Sequence, residues 1–140
     1  MQVLWGEPPE NAAVYLATRL TVWVEGEATR AADAVARLGA PLHLITAWNP
    51  YMDQRTPEEN AEATERLRAA LLELVPDLWP ARGEDPSIAY LEDGFAVRGL
   101  DRDTALRIGA EFGQEAIFEL DSEHRIVIEC ASAWAVARGA

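Results

Sequence analysis

Residues 42–50, which read LHLITAWNP, are the stretch around which the fold of this chain is organised. In an extended chain, successive side chains point to opposite faces, and here both faces are largely apolar. This pattern is typical of an interior strand that is covered on both sides. Pro50 lacks the N–H that strand pairing needs, so pairing is predicted to stop near Asn49. We therefore predict a central strand over Leu42–Trp48 with other strands on both sides of it.

Length and composition indicate one globular domain over residues 1–140, with a loop-like N-terminus at 1–11 and a tail at 131–140. Hydrophobic residues make up 49% of the chain and include five Trp, which favours a packed core over disorder. No run approaches the roughly 18 apolar residues of a membrane span, and the N-terminus lacks a signal pattern. The single Cys cannot form an internal disulfide. These features together predict a cytoplasmic protein that does not bind a membrane.

The charge balance excludes several classes of function. The net charge is −12 and no basic stripe is present, so we expect no nucleic-acid partner. All twelve basic residues are Arg, which removes Schiff-base chemistry and a P-loop lysine. Two distant His and one Cys form no zinc-binding spacing, and no Gly-rich phosphate loop is present. We expect no metal and no organic cofactor.

The other predicted elements follow from local signals. Thr56, Pro57 and Glu59 form a capping-box start for a helix that ends at Val75-Pro76. Asp93-Gly94 is compatible either with a hairpin turn or with a bulge in one longer strand. A short helix up to about residue 17 is an open alternative to an early strand. The remaining expectations are strands at 19–25, 78–82, 87–92, 95–98, 116–120 and 125–130, helices at 28–38 and 101–113, and a weak helix in the tail.

This order predicts an α/β (α+β) layered fold with a mixed β-sheet and about three helices. From the central strand onward the order includes βαββαβ, which is compatible with a ferredoxin-like core. A Rossmann fold is the weaker alternative, because no Gly-rich turn follows any strand.

Another set of spaced residues forms a recognisable pattern: Thr46-Ala47-Trp48-Asn49-Pro50, Asn60, Glu92, Phe112-Gly113-Gln114 and Ala116-Ile117. This pattern resembles a bacterial family, the domain-of-unknown-function family DUF3293. The likeness covers roughly residues 15 to 120 and implies no established reaction, substrate or cofactor. The family tends to have Ser at the positions of Met52 and Gly94 and Trp at the position of Tyr90, so this chain departs from the pattern there.

Candidate ligand-binding residues are polar groups expected near the end of the central strand: Asn49, Asn60, Glu92, Gln114 and Arg55. Asn49 ends the strand, and the helix periodicity turns Asn60 towards the core. In one interpretation the amides satisfy buried backbone groups. In the other, they line a pocket at a helix N-terminus that favours an anion.

Three functions remain open at this point. The first is binding of a small polar or anionic molecule at the strand end. The second is metal-independent catalysis with Glu92 as acid–base, for which Glu92 is a weak candidate. The third is protein interaction or homo-oligomer formation through the tail around Trp134. His43 lies inside the central strand and is more typical of a hydrogen-bonded core histidine than of a catalytic base.

Overall fold

We describe residues 2–5, 12–50, 53–130 and 135–139 of a computed structural model of the chain. Met52 and Trp134 therefore lie outside the described residues. Nine strands are found in the described part: β1 (Gln2–Trp5), β2 (Arg19–Val24), β3 (Glu27–Arg30), β4 (Leu42–Thr46), β5 (Trp79–Asp85), β6 (Tyr90–Arg98), β7 (Ala116–Leu120), β8 (His124–Glu129) and β9 (Ala135–Gly139).

Four α-helices accompany these strands: α1 (Ala12–Ala17), α2 (Ala31–Leu38), α3 (Pro57–Leu72) and α4 (Arg102–Glu111). The α+β class is confirmed. The start of α3 is as predicted, because the Thr56 side chain accepts the Glu59 backbone N–H and the Glu59 side chain accepts the Thr56 N–H.

The strands form one sheet in the order β1-β9-β8-β7-β4-β6-β5-β2-β3. The central strand is confirmed as an interior strand, since β4 pairs with β6 on one side and with β7 on the other. Both of its neighbours are supplied by segments more than forty residues further along the chain. Both edges of β4 are therefore paired with segments that are distant in the sequence.

The prediction of a mixed sheet is wrong, because all pairings between the described strands are antiparallel. The reason lies in the helical crossovers. Helix α3 joins β4 to β5, but β6 lies between them, and α4 joins β6 to β7, but β4 lies between those two. This split βαβ arrangement separates strands that run in the same direction. The order from β4 to β7 is thus compatible with a ferredoxin-like core that further strands extend on both sides.

Helices cover both faces of the sheet. Leu42 and Leu44 of β4 belong to a core cluster that also contains Tyr15 of α1 and Val35 of α2. Residues at the alternate positions, such as Ile45, belong to a second cluster with the buried faces of α3 and α4. The alternation read from residues 42–50 therefore corresponds to two separate cores.

The two ends of the chain differ from the sequence-based expectations. Residues 2–5, predicted as loop, form β1, and residues 135–139, predicted as a weak helix, form β9. These strands pair with each other, and β9 also pairs with β8. Ala135 and Ala137 are buried in this pairing. Burial at alternate positions outweighs the local helix propensity of an Ala-rich segment.

Three predicted boundaries also need correction. The helix predicted at 28–38 begins at Ala31, because residues 27–30 form β3 against β2. The strand predicted at 87–92 is replaced by a 3-10 turn at 86–88 followed by β6. The hairpin alternative for Asp93-Gly94 is wrong, because both residues pair in register with β5 inside one long strand.

Candidate functional site

The loop after β4 is held to helix α3 by a pair of asparagines. Asn49 adopts a left-handed conformation with φ 45°, which Asn tolerates better than most residues. Its backbone N–H donates to Asn60 Oδ1 at 3.0 Å, and Asn60 Nδ2 donates to Asn49 Oδ1 at 3.2 Å. Asn49 Oδ1 also accepts the backbone N–H of Arg55 at 2.9 Å. These bonds fix the course of the loop and the orientation of both amides.

Asn60 faces the core because it lies on the buried side of α3, and only 3% of it is exposed. Its carbonyl accepts the hydroxyl of Thr64, which in turn accepts the indole N–H of Trp48 at 3.1 Å. Every side-chain bond of Asn60 is thus made to the loop that it holds. This arrangement matches the interpretation of Asn60 as a structural amide.

Gln114 joins the end of α4 to the end of β4. Its Nε2 donates to the carbonyl oxygens of Trp48 at 3.0 Å and of Phe112 at 3.2 Å. Because carbonyls only accept hydrogen bonds, these two contacts identify the nitrogen and leave Oε1 as the acceptor. Gly113 precedes Gln114 with φ 71°, a left-handed conformation that ends the helix and turns the chain towards β7.

Glu92 lies on β6, two residues after Tyr90, so both side chains project from the same face of the sheet. The Tyr90 hydroxyl donates to Glu92 Oε2 at 2.5 Å. Burial raises the pKa of Glu92 to about 7, and the hydrogen bond from Tyr90 only partly opposes this rise. The carboxyl group therefore changes its protonation near neutral pH.

These elements enclose a cavity of about 170 Å³, which we call the strand-end cavity. Three of the five predicted site residues line it: Asn49, Glu92 and Gln114. The complete described lining combines two carboxyl groups, two phenols, three amides and a glycine: Tyr15, Asn49, Gln54, Tyr90, Glu92, Gly113, Gln114 and Glu115. No basic side chain is found in this lining.

Asn60 and Arg55 are not part of that lining. The Arg55 guanidinium lies 3.8 Å from Asp53 and 4.0 Å from Glu59. The N-terminus of α3 is already capped by Thr56. The N-terminus of α3, which had suggested an anion site, is therefore already occupied by the protein's own capping side chain.

Four of the lining residues were not among the candidates predicted from the sequence. Tyr15 comes from α1 and donates its hydroxyl to Glu115 Oε2 at 3.0 Å, while its ring meets Phe118 edge-on at 6.2 Å between centroids. Tyr90, Gln54 and Glu115 complete the set. The spacing of Tyr90 and Glu92 on one strand face was a usable signal. No such signal existed for Tyr15, because its place in the cavity depends on the packing of α1 across the sheet.

Three of the arginines line a different cavity. Arg19, Arg30 and Arg125 line a wider cavity of about 630 Å³ at the start of α2, together with Asp33. This cavity contains none of the residues predicted from the sequence.

On the opposite face of the sheet, His43 is fully buried, and its Nε2 lies 2.8 Å from Glu119 Oε1. Arg102 at the start of α4 contacts the same carboxylate through two nitrogens, one of them at 3.1 Å. Burial of Glu119 raises its pKa, but the bonds from His43 and Arg102 more than compensate and lower it to about 2. His43 is thus a hydrogen-bonded core histidine, as its position in β4 suggested.

No group of three or more His, Cys, Asp or Glu side chains in the described part of the chain is placed to hold a metal ion. None of the described helices combines the length and the apolar character needed to cross a membrane.

Comparison with known proteins adds one match. Residues 45–117, just over half of the chain, match the family described as protein of unknown function (DUF3293). No curated protein and no solved structure matches the chain. The matched segment runs from β4 to the start of β7 and includes Asn49, Glu92 and Gln114 of the strand-end cavity. The chain belongs to the DUF3293 family.

Proposed function

We propose that this protein binds a small polar molecule in the strand-end cavity. The observation that carries this proposal is the convergence of Asn49, Glu92 and Gln114, which come from three separate parts of the chain, on one partly open cavity. A concave site with a few convergent polar groups and a carboxyl of raised pKa is the usual form of a ligand site.

Unused hydrogen-bonding capacity at the cavity supports the proposal. Asn49 and Gln114 each use one end of the amide for the loop bonds described above. Among the described residues, no partner is found for Asn49 Nδ2, Gln114 Oε1 or Glu92 Oε1. All three residues are partly exposed, so these atoms are accessible to a ligand or to water.

The composition of the lining argues against an anion. Glu92 and Glu115 contribute carboxyl groups, and the described lining contains no Arg or His. A ligand carboxylate or phosphate would meet like charge there. We therefore favour a ligand without negative charge over the anionic ligand that the helix N-terminus first suggested.

A second candidate function is acid–base catalysis by Glu92. A carboxyl with a pKa of about 7 in a cavity is suited to proton transfer at neutral pH. The Tyr90 hydroxyl, bonded to the same carboxyl, would hold it in place. This activity requires the binding function, so binding is the first step to test.

Binding is tested by a thermal-shift screen with named sets of small amines, amides, polyols, amino acids and carboxylates, because a ligand of the native state raises the melting temperature. Each compound that raises it is retested on Glu92→Gln and on Glu84→Gln. Glu84 lies on the neighbouring strand β5 and does not line the cavity. We expect Glu92→Gln to reduce the response and Glu84→Gln to leave it unchanged. Equal responses in both variants would contradict the proposal.

Catalysis is then tested by following each bound compound by NMR for chemical conversion. For acid–base catalysis we expect a rate that depends on a group titrating near pH 7 and that is lost in Glu92→Gln. Binding without conversion would identify the protein as a binding module.

A further inference from the structure

The strand-end cavity offers more hydrogen-bond acceptors than donors. Gln114 Oε1 is an acceptor in all conditions. Glu92 Oε1 is also an acceptor only, as long as the carboxyl group is ionised. The Tyr15 and Tyr90 hydroxyls already donate to Glu115 and Glu92, so each presents only acceptor lone pairs. Against these, the side-chain donors are Asn49 Nδ2 and the amide of the exposed Gln54. A complementary ligand should therefore carry several N–H donors.

Two other partly buried carboxylates, Asp93 and Glu119, have an Arg counter-charge. Arg82 binds Asp93 at 2.6 Å, and Arg102 binds Glu119. No Arg or His among the described residues forms an ion pair with Glu92, whose protein contact is the neutral Tyr90 hydroxyl. Buried carboxylates are normally paired, because burial without a partner costs free energy.

Two tyrosines also belong to the lining of the strand-end cavity. The phenol rings of Tyr15 and Tyr90 line the same cavity as the two carboxyl groups. The faces of aromatic rings attract ammonium and guanidinium groups. The carboxylate, the amide oxygen and the aromatic rings around this small space all favour a positively charged ligand.

From this arrangement we infer that the strand-end cavity binds a small organic cation, an ammonium or guanidinium group on a short uncharged stem, with Glu92 as its counter-ion and Gln114 Oε1 as a second acceptor. The inference rests on the proposed binding function and specifies the class of ligand.

The protonation of Glu92 gives the inference a second signature. In the strand-end cavity, the titratable groups around Glu92 are Tyr90 on its own strand, Tyr15 on α1 and Glu115 before β7. Arg82 of β5 lines a neighbouring cavity with Glu92, but its guanidinium binds Asp93. A bound cation favours the ionised form of Glu92. Because its pKa in the free protein is about 7, cation binding should release a proton below that pH. Binding should therefore weaken about tenfold for each pH unit below 7.

The experiment uses three probes of nearly equal shape, butylammonium, butyramide and butyrate, titrated into the full chain and followed by two-dimensional NMR. The protein is tested unmodified and as Glu92→Gln and Glu84→Gln. We expect butylammonium to shift signals of the cavity residues, to bind Glu92→Gln at least tenfold more weakly, and to bind Glu84→Gln unchanged. The spectrum of each variant also reports whether it is folded, and the pH series on the unmodified protein does not depend on any variant.

The comparison among probes separates this inference from the proposed function. Butyramide binding as strongly as butylammonium, or butyrate binding more strongly, would overturn the inference and leave a polar-ligand site in place. Butylammonium that shifts signals only outside the cavity, as general attraction to a chain of net charge −12 would produce, overturns it as well. Absence of binding by all three probes overturns the cation inference, and the broader thermal-shift screen then decides the proposed function.

Discussion

Asn60 Oδ1 accepts the backbone N–H of Asn49 at 3.0 Å, so a helix side chain supplies the partner that the end of the central strand lacks. Asn60 makes its side-chain bonds within the protein, whereas Asn49 and Glu92 each keep one polar atom for the cavity. Asn60 and Glu92, which were grouped together as candidate site residues, therefore differ in how their side chains are hydrogen-bonded. The difference leads to opposite expectations for their replacement.

Replacement of Asn60 by Ala should destabilise the protein by about 1–3 kcal/mol, because it leaves the buried N–H of Asn49 without a partner. Urea unfolding at pH 7 measures this change. Glu62→Ala on the exposed side of the same helix is the matched control and should change the free energy of unfolding by less than about 0.5 kcal/mol. Equal small losses in both variants would refute a structural role for Asn60.

Replacement of Glu92 by Gln should stabilise the protein at pH 8. The pKa of Glu92 is raised from 4.5 to about 7, so the folded state holds the proton more tightly than the unfolded chain. Its favourable contribution is complete below pH 4.5 and is lost as the pH rises through 7, by up to about 3 kcal/mol in all. A neutral Gln avoids this loss. Urea unfolding of both proteins between pH 5 and 8 should show a flatter profile for the variant, and parallel profiles would contradict the prediction.

Replacement of Glu119 by Gln should have the reverse pH dependence. The pKa of Glu119 is lowered from 4.5 to about 2, so its contribution is present above pH 4.5 and is lost as the pH falls towards 2. At pH 7 we expect a loss of roughly 2–4 kcal/mol, because Arg102 and His43 lose their charged partner. The difference from the unmodified protein should shrink in acid. Glu123→Gln, in the exposed turn before β8, is the control and should show no such trend.

Replacement of Gly94 by Ala should destabilise the sheet. A Cβ at this position would lie 2.2 Å from the Ile45 carbonyl oxygen, so the backbone of β4 or β6 would have to move. Gly83→Ala is the milder comparison, because its nearest contact is a side-chain methyl of Thr18 at 3.1 Å. Thermal unfolding should show a loss of at least about 1–3 kcal/mol for Gly94→Ala and a clearly smaller one for Gly83→Ala. The close approach of β4 explains why Gly fits at this position.

Much of the architecture could be predicted from local sequence. The apolar run at 42–50 identified the interior strand because a strand covered on both faces needs apolar residues at consecutive positions. The capping box at Thr56 fixed the start of α3, and the helix periodicity turned Asn60 inward. These features depend on neighbours within one or two turns of the chain, so the sequence carries them directly.

The strand-end cavity was only half predictable. Asn49 and Asn60 had to meet, because a short loop joins them, and Glu92 and Gln114 entered through the family resemblance. Tyr15 had no local signal, since it reaches the cavity only when α1 packs across the sheet against Phe118. The amide geometry that leaves Gln114 Oε1 open also depends on its contact with Trp48, 66 residues away in the chain.

By itself, the sequence determined which segments become strands and helices near the centre of the chain, because backbone sterics, capping and side-chain alternation act over short distances. Only the tertiary structure decided strand order, the antiparallel direction of every described pair, and the pairing of β1 with β9. Tertiary structure also sets the pKa of Glu92 in the cavity. This pKa follows from the burial of the carboxyl group, with no cation paired to it among the described residues. These properties depend on contacts between distant segments, and local propensity does not specify such contacts.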